Sequence, residues 1–190
     1  SYPEYFEGLG IVEGKEWPQT SKIKYAPKEL GANDIDVKIE MCGVCGSDVH
    51  NSAGRWGERY LPMVPGHEVI GHIVKLGSQC SRGLEIGQRV GIGPVSLSCD
   101  RCHGCKSGFY ACCSDLVFTY NGKYQDGYVS KGGFSSHIRI NENYVFEIPE
   151  NIPSEVAAPL LCAGIAAFAP LYKNKVRKGS KVGIVGIGGV

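Results

Sequence analysis

The stretch "CDRCHGCKSGFYACC" constrains this chain more than any other. It spaces Cys99, Cys102, Cys105 and Cys113 as C-x2-C-x2-C-x7-C. Two-residue gaps let thiolates on a tight loop converge on one ion, and zinc takes four such ligands tetrahedrally with no geometric demand from its d-electrons. The intervening Asp100, Arg101, His103, Gly104, Lys106 and Gly108 are turn and loop formers, as a chain wrapped around a metal requires. Cys112 competes with Cys113 for the fourth place, and His103, wedged between two ligands, is a weaker rival. Four protein ligands make a closed site, which contributes to folding of the lobe rather than to chemistry. Disulfides are the alternative use of these residues. The odd total of nine cysteines in 190 residues speaks against them. So does an opening "SYPEYFEGLG" without the basic and then apolar pattern of a secretory signal. A reduced, cytoplasmic setting is therefore the expectation.

The pattern around this lobe is that of short strands. Ile35, Val37 and Ile39 alternate in "IDVKIEMCG"; "GHEVIGHIVKLG" alternates again; Arg89–Ile92 is a short strand between glycines; and "GGFSSHIRINENYVFEIP" supplies two more. A further short strand is expected around Ile23. The 27 glycines suit many turns. The fold class expected is mainly β, a barrel or partly open β-domain, over residues 1–153. The character changes from residue 154. Ser154 can cap a helix, alanine dominates 157–169, and Pro159 and Pro170 are expected to break this stretch into short or kinked helical pieces. In "SKVGIVGIGGV", Lys181–Val185 reads as a buried strand and Gly186, Gly188 and Gly189 as the turn after it, the beginning of an α/β unit. A formal net charge of +1 implies no nucleic-acid or anionic-membrane partner. The longest apolar run carries the same two prolines and ends in charges, so no membrane partner is expected from it.

"CGVCGSDVH" and "VPGHEVIGH" bring a second constellation: Cys45, Asp48, His50, His67, Glu68 and His72. Each alone is commonplace, since a lone cysteine is usually a small core residue. Together they look like ligands of a metal and the groups that support them. Asp48, three residues after Cys45, could orient His67 through its free ring nitrogen. Cys162, at the domain boundary, is the candidate for a third ligand. His72 and His137 read as structural, and Cys42 and Cys80 as plain thiols. Trp56 lines a substrate pocket or simply packs its loop, and both readings stay open.

"CGVCGSDVH", "PGHEVIGH", the four-cysteine lobe, "PLLCAG" and "VGIVGIGGV" stand in the order found in zinc-dependent medium-chain alcohol dehydrogenases, which the chain resembles over nearly its whole length. "TYNGKYQDGYVSKGGFSS" and "IPENIPSEVAAPLLCAGI" narrow the resemblance to the cinnamyl alcohol dehydrogenase group, fungal NADP-dependent members included. The resemblance implies a GroES-like catalytic domain with a zinc lobe, followed over 154–190 by the first elements of a Rossmann cofactor domain. It implies a catalytic zinc on Cys45, His67 and Cys162 and a structural zinc in the lobe, hence two zinc ions. Ser47 would take the substrate proton, His50 would pass it to solvent, Asp48 would hold His67, and Glu68 would stand behind the zinc as a supporting or exchanging carboxylate. Gly186, Gly188 and Gly189 would face the cofactor, NADP by the subgroup, with NAD possible. The partner would be a small alcohol or aldehyde, and the intact enzyme a homodimer.

One position departs from the pattern: residue 46 is glycine, where many members carry a basic or imidazole residue near the cofactor pyrophosphate. Glycine there is shared with polyol dehydrogenases, the nearest rival within the class. Sorbitol-type enzymes, however, tend to place a carboxylate where Cys162 stands. Two rivals come from other classes: a zinc-ribbon-like nucleic-acid module, which would want a basic stripe, and a non-catalytic zinc-binding or thiol-sensing module. The third glycine of G-x-G-x-x-G would fall just past Val190. These 190 residues are accordingly expected neither to bind a dinucleotide tightly nor to turn over alone.

Overall fold

The computed structural model describes residues 2–188. Its centre is a five-stranded antiparallel sheet in the order β8-β3-β4-β5-β9, formed by β3 (Asp34–Gly43), β4 (Glu68–Leu76), β5 (Arg89–Ile92), β8 (His137–Asn141) and β9 (Val145–Glu147). The strands form where the alternation predicts. Ile35, Val37, Val69, Ile73, Val90, Ile92, Ile138 and Ile140 all point into one core. Each such side chain contributes about 1.5–3 kcal/mol when fully buried. The opposite side of β3 is also covered. Asp36 is fully buried, and the Arg139 guanidinium pairs with both its oxygens at 2.7 and 2.8 Å. Two register shifts between β3 and β4 bend the pair, so that Gly43 ends opposite Glu68.

A two-stranded sheet of β1 (Phe6–Gly10) and β2 (Ser21–Tyr25) lies against this body through bridges Gly8–Ser135 and Ile11–Met63. β2 is the strand expected around Ile23. β1 has no counterpart in the sequence reading, because two of its inward positions are Gly8 and Gly10, which hide the alternation. A Cβ on Gly10 would sit 2.0 Å from the Met63 carbonyl oxygen, so the close approach of the two backbones requires glycine there. A second small sheet, β6 (Val95–Leu97) with β7 (Val117–Phe118), carries the cysteine lobe, which includes the one-turn helix α2 (His103–Lys106).

Three expectations for the C-terminal part are corrected. First, Ser154 does not cap the helix. Pro153 is the N-cap, and the Ser154 hydroxyl instead donates to Glu40 Oε1 at 2.7 Å. Second, the helical pieces are short, as expected, but they join without a break, and Pro170 interrupts nothing. α3 (Ser154–Pro159) passes through a π-helical turn, Leu160–Gly164, into α4 (Ile165–Lys173), which contains Pro170. The wider π turn follows directly on Pro159, where a regular i→i−4 bond would have no donor. By length and composition this helical stretch would qualify as a membrane span. Its α3 turn instead packs Ala157 and Ala158 against Ile70 and Ile148 in a second core. Third, Lys181–Val185 is not a strand. It carries no regular structure, with a bend at Val185, and is exposed, Val185 completely so. A strand exists only through bonds to a neighbour, and among the described residues none pairs with it.

Candidate metal centre and substrate cavity

The second constellation converges where three elements meet. Cys45 precedes α1 (Gly46–Ser52), His67 and Glu68 stand at the start of β4, and Cys162 sits in the π turn. One ligand atom from each of Cys45, His67, Glu68 and Cys162 lies within 4.8 Å of all the others. The two sulfurs, 117 residues apart in sequence, are 4.0 Å apart. Tetrahedral zinc with bonds of about 2.3 Å to sulfur spaces its ligands about 3.8 Å apart, so two thiols and an imidazole at these separations form a donor set that suits it.

Asp48 organises the site. α1 forms because Asp48 reaches back to accept the Cys45 N–H at 2.9 Å, one half of a capping box. Its other oxygen accepts from His67 Nδ1 and from Gly66 N, each at 3.0 Å. Gly66 has φ +103°, and a Cβ there would lie 2.7 Å from Phe134 N, so the tight path that delivers His67 demands glycine. Asp48 itself is only 2% exposed. Its carboxylate therefore fixes the helix, the loop and the imidazole tautomer together, leaving Nε2 to face the sulfurs. Burial works to lower the His67 pKa, but the Asp48 carboxylate outweighs it and holds the ring above its ordinary value.

The thiols diverge in this setting. Burial pushes Cys162 up to about 12, with the Cys45 charge adding to the shift. Burial would also raise Cys45, but hydrogen bonds from the Ser47 hydroxyl and backbone bring it below the usual thiol value. Burial raises the Glu68 carboxyl as well. Ser47 Oγ donates to Cys45 Sγ at 2.9 Å and lies 3.4 Å from His67 Nε2, so its hydroxyl stands against two of the ligand atoms. His50 follows Ser47 by three positions in α1. Its ring stacks on Trp56 at 5.0 Å and 23°, and its Nδ1 is buried without a hydrogen-bond partner. Among the described residues no hydrogen bond joins Ser47 to His50.

The cluster opens onto a cavity of about 390 Å³. Trp56, Pro94, Phe118 and Tyr120 form its apolar walls, with Asn51 and Asn121 as polar points. Trp56 is thus a cavity residue, though 61% exposed. Sequence reasoning missed Asn51, Phe118, Tyr120 and Asn121. Asn51 lies in α1 itself, four residues after Ser47, and Phe118, Tyr120 and Asn121 are brought to it by the β6–β7 sheet from some 70 residues away, so nothing local marks them.

In the lobe, the sulfurs of Cys99, Cys102, Cys105 and Cys113 lie within 4.8 Å of one another, with Cys102 and Cys105 at 3.5 Å. Neither Cys112, which is exposed, nor His103 joins them. The N–H groups of Cys102 and Cys105 donate to the sulfurs three residues earlier, at 3.4 and 3.5 Å. Hydrogen bonds from the Arg101 and Cys102 backbone bring the Cys99 thiol down to about 6. Arg101 is paired with Asp115 at 3.3 Å, which removes it from any basic stripe. Of the glycine turn, Gly186 (φ +82°) and Gly188 are exposed, and Gly189 lies outside the described residues.

Comparison with known proteins agrees with this geometry. Residues 31–150 match the family model of the alcohol dehydrogenase GroES-like domain. The chain is 50% identical over all 190 residues to NADP-dependent alcohol dehydrogenase 6 of Saccharomyces cerevisiae, covering 53% of that protein. It is 40% identical over 171 residues, 90% of the chain, to probable cinnamyl alcohol dehydrogenase 9 of Arabidopsis thaliana, covering 47% of it. Among solved structures it is similar to the CAD of Helicobacter pylori complexed with NADP(H), with a TM-score of 0.87 and 35% identity over 93% of this chain and 51% of that one. The chain spans about half the length of the curated relatives it matches. On the sequence match and on the fold alike, the chain belongs to the alcohol dehydrogenase GroES-like domain family.

Proposed function

We propose that this chain is the metal-binding, substrate-activating part of an NADP-linked enzyme that interconverts primary alcohols and aldehydes, aromatic and aliphatic. The observation that carries it is the convergence of Cys45, His67 and Cys162, with the Ser47 hydroxyl against the first two, on the wall of a largely apolar cavity. Those three residues would hold one zinc ion and the four-cysteine lobe a second. At the first position zinc supplies Lewis acidity, making an alcohol hydroxyl more acidic and a carbonyl carbon more electrophilic.

The chain's own residues do the rest. Asp48 keeps His67 in the tautomer whose Nε2 lone pair faces the cluster. Trp56, Phe118 and Tyr120 bind the apolar body of the substrate and exclude water around the reacting carbon. Ser47 carries the proton that leaves an alcohol oxygen or arrives on an aldehyde oxygen. The unpartnered Nδ1 makes His50 the next acceptor, and passing the proton between them takes one further hydroxyl or water. Glu68, its carboxyl raised by burial, stands beside the ligands as a fourth donor. The hydride belongs to the nicotinamide, whose pyrophosphate would meet the turn at Gly186 and Gly188. NADP is favoured over NAD by the yeast and Helicobacter pylori relatives. The division at residue 153, a homodimer and a cytoplasmic location belong to the same proposal.

The test is aldehyde reduction by the zinc-loaded natural-length protein with NADPH, over a panel from cinnamaldehyde to short aliphatic aldehydes. Turnover that disappears in Cys45→Ala, while the lobe keeps its metal, is the expected result. Turnover unchanged by Cys45→Ala would overturn the reading. Reduction by the 190-residue chain alone would overturn the division of labour.

A further inference from the structure

Two residues that line the cavity, Tyr120 and Asn51, also bond to the Ser47 backbone. Tyr120 follows β7, 73 positions after Ser47, and its hydroxyl donates to the Ser47 carbonyl at 3.2 Å. The same hydroxyl accepts from Asn51 Nδ2 at 3.0 Å, and that nitrogen also donates to the Ser47 carbonyl at 3.2 Å. The three groups close a hydrogen-bonded ring. It commits the only proton of the phenol and both protons of the amide. The Tyr120 ring meanwhile lies 5.8 Å from the His67 ring, tilted by 34°.

Tyr120 is itself anchored in a core cluster. It is 6% exposed and packs with Ile11 and Met63, both fully buried. One residue of the β6–β7 side therefore touches the backbone of Ser47 and the ring of His67. α1 is only seven residues long, and Ser47 lies in its first turn, where helix ends ordinarily fray. The Ser47 side chain has a single heavy-atom torsion, so its hydroxyl goes where its backbone goes. We infer that Tyr120, together with Asn51, is a positioning residue that locks the first turn of α1 and so holds the Ser47 hydroxyl at the reacting oxygen. The inference deepens the proposed function, because it rests on Ser47 as the proton carrier. Tyr120 is not itself an acid or base: its proton is spoken for by the Ser47 carbonyl, and burial drives the phenol far above the range in which it would ionise.

Two variants test this in the natural-length, zinc-loaded protein. Tyr120→Phe keeps the ring and deletes the hydroxyl; Asn51→Ala removes the other corner and leaves the core cluster intact. Hydrogen exchange is the first readout, and needs no turnover. Both variants should raise exchange of the α1 amides about tenfold while the five-stranded sheet keeps its protection. In aldehyde reduction, each should lower kcat about tenfold with KM within about twofold of the parent, and the double variant should lose little more than either single one. Unchanged exchange in α1, or an unchanged kcat, overturns the inference. So does a loss of protection throughout the sheet together with metal, which would make Tyr120 a packing residue only. An inactive parent protein with locally loosened variants would instead refute the proposed function and leave the lock on α1 standing.

Discussion

Asp48→Asn is the most informative single change. The carboxylate accepts three hydrogen bonds, from Cys45 N, Gly66 N and His67 Nδ1, at 2.9 to 3.0 Å, with 2% of the residue exposed. Asparagine has nearly the same shape, but one of its two terminal atoms is a donor. Whichever way the amide turns, it meets an N–H head-on. If the nitrogen faces Cys45, the helix loses its cap; if it faces Gly66 and His67, two bonds go. The milder rotamer loses one bond to a charged acceptor and strands a buried N–H, at a cost of about 1.5–3 kcal/mol. In a protein of this size that corresponds to a fall in Tm of roughly 3–12 °C. The surviving His67 contact goes to a neutral oxygen, which weakens the imidazole as a ligand, and metal affinity at the Cys45 site should drop about 10- to 100-fold. Zinc competition with a chromophoric chelator measures the second effect and thermal melting the first. The lobe, which Asp48 does not touch, serves as the internal control and should hold its metal unchanged. A variant that melts within about 1 °C of the parent and binds zinc within about twofold would refute the account of Asp48 as the organiser of the site.

Three further outcomes are expected. Cys102→Ser should lose the lobe metal and the near-neutral lobe stability with it, whereas Cys112→Ser should lose neither; metal analysis after gel filtration separates them. Ile70→Ala empties a fully buried position against Ala157 and Ala158, costing about 2–5 kcal/mol. Because α3 leads into the turn carrying Cys162, the Ile70 variant should also bind metal more weakly at the Cys45 site while its lobe affinity holds. His137, stacked on Phe6 at 5.2 Å, has its pKa lowered by burial. A lowered histidine favours the neutral fold, so its contribution is complete above the ordinary value near 6.5 and is lost as pH falls through the lower folded value. His137→Gln should therefore flatten the acid side of the Tm–pH curve relative to the parent, and an identical slope would dismiss the effect.

Much of this protein was decided within a few residues of chain. Cysteines three positions apart on a loop of small and polar residues meet wherever the loop is placed, and Asp48 reaches Cys45 because three positions is one turn. The alternation of Ile35, Val37 and Ile39, and of the segment after His67, dictates strands because one face must leave water. Tertiary structure decided what depends on distant partners. β1 formed on inward glycines because the Met63 backbone approaches Gly10 and the Val64 side chain approaches Gly8, and Lys181–Val185 formed no strand because a strand needs a neighbour. The helix ran through Pro159 and Pro170 because a π turn absorbed the first, and that same turn carries Cys162 to 4.0 Å from Cys45. Asn51 and Tyr120 carry no signal in the chain: each is an ordinary polar or aromatic residue until the β6–β7 sheet sets one against the other beside Ser47. Local spacing determined which atoms could bind a metal, and packing across the fold determined which hydroxyl stands beside it.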